Sequence, residues 1–155
     1  MLTFEQMVLR FLLAIVLGAL IGIEREMVGK EAGVKTAMLV SGGAAIFSII
    51  ALVLPDIVAN GNLTVAARDS GVLNIIANVV VGVGFLGAGI IIKNDVHHVK
   101  GITTAAAIWA TAAVGVLAGI GLTEFAVFSA IAITVLLYAL RKFQVDELIR
   151  PDDKE

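Results

Sequence analysis

Hydrophobic and polar positions along this chain are sorted into long blocks rather than alternating residue by residue. Uncharged, mostly apolar runs cover 36–54, 70–92, 103–122 and the shorter 125–140, and a further run, 11–23, extends back to residue 3 if Arg10 is admitted. A helix rising 1.5 Å per residue needs about 20 residues to cross a bilayer core of about 30 Å. Backbone groups in lipid must be paired within the segment, so these runs read as helices, and the alternating pattern of a membrane barrel is absent. Thr3 and Gln6 have capping-box spacing and set the first start. Pro55-Asp56 ends the second run, Asn60-Gly61-Asn62 marks a turn after it, and Gly121-Leu122-Thr123-Glu124 reads as a tight turn with Thr123 capping the last helix. The pattern predicts an all-α integral membrane protein: five transmembrane helices in one membrane domain, 1–142, and a short cytoplasmic tail, 143–155.

Composition agrees. At 59% hydrophobic and 15% charged residues, with a mean hydropathy of +1.03, a soluble fold would lack the polar surface to cover its core. The net charge of −2 comes without a basic block, which gives no reason to expect nucleic acid, and the absence of cysteine excludes disulfides and thiol chemistry. No nucleophile, base and orienting group share a motif, so an enzyme is not expected. Five spans put the termini on opposite sides. With the N-terminus outside and the C-terminus cytoplasmic, Arg25, Lys30, Lys35, Lys93, Lys100, Arg141, Lys142, Arg150 and Lys154 are cytoplasmic, leaving only Arg10 and Arg68 outside. One internal echo accompanies this layout. Gly33, Thr36, Ala37, Ala44 and Ala45 align with Gly101, Thr104, Ala105, Ala112 and Ala113, as a parallel repeat of helices 1–2 in helices 3–4 would, or as chance among small residues would.

Gly82, Gly84 and Gly87 spell G-x-G-x-x-G, a dinucleotide fingerprint when it joins a strand to a helix. Here it lies inside an uncharged run, with no acid at the distance a ribose would need, so these glycines and Gly89 are read as helix-packing positions. Gly18 with Gly22, and Gly115 with Gly119, have the spacing of close helix faces, and with only five helices to pack they point to a homo-oligomer, most simply a dimer.

Four motifs carry a resemblance. Gly18-Ala-Leu-Ile-Gly22-Ile-Glu24-Arg25, Ala32-Gly33-Val34-Lys35-Thr36, Gly84-Phe85-Leu86-Gly87-Ala88-Gly89 and Gly101-Ile102-Thr103-Thr104-Ala105-Ala106 occur in the order found in the MgtC/SapB family of bacterial inner-membrane proteins, which this chain resembles over 18–121. The resemblance implies a part in magnesium homeostasis, with magnesium as a transported or sensed ion and no bound cofactor. It implies either ion transport or a regulatory role on another membrane protein, such as the ATP synthase. Family members often carry a soluble domain after the last helix, and the sequence to Glu155 offers none for such regulation. They also tend to have arginine, glutamine and serine where this chain has Asn74, Asn78 and Val81.

Candidate sites follow from both readings. Glu24 and Arg25 close the first helix, where Glu24 is either a cation ligand or a partner of Lys35, and adjacent residues do not share a helix face. Thr36, Thr103 and Thr104, preceded by Lys35 and Lys100, open the second and fourth helices, either as caps or as part of an anion site at two helix starts. Asn74 and Asn78, four apart on one face, are expected to face protein and to serve interhelical hydrogen bonds or a hydrated path. His97-His98 lacks companions for a metal site. Arg10, inside an apolar span, either snorkels to the outer headgroups or pairs with Asp69 on a neighbouring third helix.

Overall fold

The computed structural model describes residues 2–58, 65–94 and 98–142, and it is a helical bundle with the five expected helices: α1 (Phe4–Met27), α2 (Val34–Val58), α3 (Val65–Ile90), α4 (Ile102–Ile120) and α5 (Thr123–Lys142). All five are long and apolar enough to cross a membrane. Thr3 caps α1 as its spacing predicts: its hydroxyl accepts from the Gln6 N–H, and the Gln6 side chain accepts from the Thr3 N–H.

Several boundaries differ from the apolar runs. α1 carries on through Glu24-Arg25-Glu26, because those charges still complete its last turn. α2 passes Pro55 and ends at Val58. α3 starts at Val65, earlier than its uncharged stretch. The charged link between α3 and α4 holds a small antiparallel ribbon, β1 (Ile92–Asn94) on β2 (His98–Lys100), with Lys93 opposite Val99. Segments this short carry no periodicity by which sequence reveals a strand. The tail, 143–155, and the turn at Asn60-Gly61-Asn62 lie outside the described residues.

α2 and α4 form the centre. α1 lies against α2, α4 and α5, while α3 lies against α2 and α4. One buried cluster joins Ala14, Leu17 and Ile21 to Ala45, Val114 and Ala126, and a second joins Ala44, Val83 and Ala112. Small residues dominate because the helices meet nearly backbone to backbone. A Cβ built on Gly18 would stand 2.6 Å from the Ala37 carbonyl oxygen, and one on Gly22 would stand 2.6 Å from the Val34 Cα. Gly119 faces the Ala45 carbonyl at 2.6 Å, and Gly115 abuts the Ser41 carbonyl. Both small pairs are therefore used inside the bundle, against α2, and not at a surface between copies.

The glycine run of α3 behaves differently from expectation. Gly87 alone is buried, with its Cβ position 3.5 Å from the Ala105 Cβ, an ordinary contact. Gly82, Gly84 and Gly89 have nothing within 4 Å of theirs. Sequence shows that a residue is small, but not whether a neighbour stands there.

Candidate functional site

Polar groups gather at two levels of the bundle. At the end formed by the close of α1 and the starts of α2 and α4, Glu24 and Arg25 are 6% and 5% exposed. Arg25 Nη1 donates to Glu24 Oε2 at 3.4 Å, a long contact but a real pairing, which corrects the expectation that neighbours in sequence would not meet. Adjacent long side chains can curl toward each other where a buried helix end offers no water. Arg25 Nε and Nη2 have no hydrogen-bond partner among the described residues. Lys35 is exposed and makes no ion pair among the described residues, so Glu24 is not its partner.

The threonine caps are corrected as well. α2 opens at Val34, leaving Thr36 exposed within its first turn. α4 is capped by Gly101 at φ 90°, without a side-chain cap, leaving Thr103 exposed. Any side chain at position 101 would be strained by that φ and would run into the Ile90 carbonyl. Thr104 is buried and donates its hydroxyl to Glu31 Oε2 at 2.9 Å. Glu26 Oε2 accepts from the Val34 N–H at 2.8 Å, and Gly33 leaves the space its carboxylate occupies. So the chain itself brings anions to both helix starts, Glu26 to α2 and Glu31 to α4, where the aligned backbone dipoles favour negative charge. Donation to the Glu31 carboxylate by its own backbone N–H, then by Thr104, holds its pKa below the ordinary 4.5. Glu26, in the last turn of α1, and Glu31, in the α1–α2 link, were missed in the sequence because each acts on a partner in another helix. Lys100 lies at the end of β2, exposed.

At the opposite level stands Arg10, half-buried, whose Nη1 donates to the Gly119 carbonyl at 3.0 Å. The last turn of α4 accounts for this. Its Leu117 and Ala118 carbonyls accept from the backbone of Gly121 and Leu122, and the Gly119 carbonyl is left for the guanidinium. Gly121, at φ 97°, clears the way: a Cβ there would lie 2.5 Å from Arg10 Nη2. A cation at a helix C-terminus also meets the negative end of the dipole. The Asp69 side chain lies outside the described side chains, and α1 runs beside α2, α4 and α5 rather than beside the third helix expected to carry its partner.

Asn74 and Asn78 are exposed on α3, so no other described helix of this chain is the protein they were expected to face. Asn78 stands at the margin of an apolar groove of about 530 Å³ between α2 and α3, lined by Leu39, Gly43, Phe47, Val79 and Leu86 among others. The buried hydroxyls of Ser48 and Thr111 are satisfied by the carbonyls of Ala44 and Ala107, one turn earlier in their own helices. Among the described residues no three histidine, aspartate or glutamate side chains converge as a metal site, and His98 has only its backbone described, in β2.

Five apolar helices around a close-packed α2–α4 seam define a multi-pass membrane protein. The chain belongs to the MgtC family, whose model matches residues 11–145. It is 39% identical over 128 residues to a Brucella abortus protein called Protein MgtC, covering 83% of this chain and 48% of that one. It is 37% identical over 136 residues to an Escherichia coli K12 protein called putative magnesium transporter YhiD, covering 85% and 59% respectively. An uncharacterized Haemophilus influenzae protein is 36% identical over 128 residues, 83% of this chain and 51% of its own. The chain thus spans about half the length of the curated relatives it matches. No solved structure matches it.

Proposed function

We propose that this chain is an inner-membrane protein of magnesium homeostasis that acts by engaging another membrane-embedded protein, rather than by passing the ion through its own bundle. The observation that carries this reading is the packing of the interior. α1, α2 and α4 touch through Gly18, Gly22, Gly115 and Gly119 at distances that leave no room even for a methyl group. Magnesium gives up its waters reluctantly, so a path for it has to be far wider than such a seam. The N-terminus is outside in this reading, with Arg25, Lys30, Lys35 and Lys100 on the cytoplasmic side. The parallel repeat belongs to it too: Gly22 meets Ala37 as Gly87 meets Ala105, and the two alanines are partners in the echo between α2 and α4.

A second reading, transport, is favoured by Asn78 at the margin of the α2–α3 groove and by the name of the Escherichia coli relative. Magnesium flux into liposomes holding the purified chain separates the two. The first predicts no flux above empty vesicles. Saturable flux would overturn it in favour of transport.

A further inference from the structure

α3 presents one face that no other described residue of the chain covers. At 100° per residue, Asn74, Asn78, Val81, Gly82, Phe85 and Gly89 fall within an arc of about 100°. All six are exposed, Val81 by 71% and Phe85 by 82%. The other side of the helix is the one in use: Val83 and Gly87 are buried, with Gly87 against Ala105 of α4.

The two asparagines lie deep. Within the apolar span Gly71–Ile90, Asn78 is about 4 Å and Asn74 about 10 Å from the midpoint at 1.5 Å per residue. Neither makes a hydrogen bond to a described residue. Each carboxamide carries two donors and an acceptor, and hydrocarbon can answer none of them. The outward face of α5 is a useful contrast. Phe125, Phe128, Ile131, Val135 and Leu136 are exposed there, and the Thr134 hydroxyl is already satisfied by the Ala130 carbonyl. That face asks only for lipid, whereas the α3 face asks for hydrogen-bonding partners.

A second copy of this chain supplies them. Two copies inserted the same way are related by a two-fold axis along the membrane normal, which sets each α3 residue beside its own counterpart. An asparagine carboxamide is self-complementary, so Asn74 and Asn78 each find donor and acceptor in their duplicates at two heights. Gly82 and Gly89, seven residues apart, have open space over their Cα atoms and let the two backbones approach along one seam. The face carries no charge, so nothing repels in this like-to-like arrangement.

We propose that α3 forms the two-fold interface of a homodimer, with Asn74 and Asn78 hydrogen-bonding their own counterparts within the membrane. The proposal stands on the geometry of α3 and holds for either functional reading.

The chain has no cysteine, so single substitutions report cleanly. Val81→Cys and Phe85→Cys in the full chain, oxidised in native membranes, should each give a disulfide-linked homodimer, while Val135→Cys and Leu136→Cys on α5 should stay monomeric. Adding Asn78→Val to the Val81→Cys chain should lower cross-linking by about threefold to tenfold, and Asn78→Gln should preserve it. Equal recovery of each variant from detergent extracts confirms that the fold is intact. Monomer at both α3 positions, equal cross-linking through α5, an adduct with a different protein, or indifference to Asn78→Val would overturn the proposal.

Discussion

Replacing Gly119 by alanine puts a methyl group into the close approach of α2 and α4. Its nearest neighbours would be the Ala45 carbonyl oxygen at 2.6 Å, the Ser48 Cβ at 2.7 Å and the Ala45 Cα at 2.9 Å. Two of these are backbone atoms and cannot turn aside, so relief requires the helices to separate. The shortfall from the 3.4 Å of an ordinary contact is 0.8 Å. Overpacking on this scale costs about 1–3 kcal/mol. Alanine is also a better helix former than glycine by about 0.8–1 kcal/mol, which would mask part of the loss. Gly84→Ala provides the control, since nothing lies within 4 Å of its Cβ position and it gains the same helical preference. The difference between the two variants isolates the steric cost, and Gly119→Ala should be the less stable by about 1–3 kcal/mol. Trp109, the single tryptophan, sits on α4 and offers a fluorescence signal for unfolding in mixed micelles. Equal stability of the two variants would refute the close α2–α4 approach.

Arg10→Met should destabilise the bundle by about 1.5–3 kcal/mol in the same unfolding measurement, because the buried Gly119 carbonyl loses a charged donor, and Arg10→Lys should recover part of the loss. No change in Arg10→Met would mean that the guanidinium reaches the headgroups instead. Glu31 makes stability depend on pH. Its folded pKa is depressed, so its contribution is fully present above 4.5 and disappears as pH falls through the folded value. The stability gap between the native chain and Glu31→Gln should close on acidification below 4.5, and a gap that widened in acid would contradict the Thr104–Glu31 contact.

The five spans, the capped start at Thr3 and the family motifs were legible along the chain because each depends on residues close in sequence. Lipid makes this possible, since a helix that must pair its own backbone and match a fixed thickness leaves its length and composition as a local record. Which glycines are contacts was not legible. Gly84 and Gly119 look alike in sequence, yet one faces open space and the other a carbonyl of α2. The partner of Arg10 was hidden for a similar reason: it is a backbone oxygen more than a hundred residues away, and carbonyls have no letter in the sequence. The same holds for Glu26, in the last turn of α1, and Glu31, in the link that follows, until the fold brings the start of α2 and Thr104 to them. Asn74 and Asn78 could be placed on one face from their spacing, but only the arrangement of α2, α3 and α4 left that face uncovered, because a helix's pattern fixes which residues share a side and its neighbours decide which side is buried.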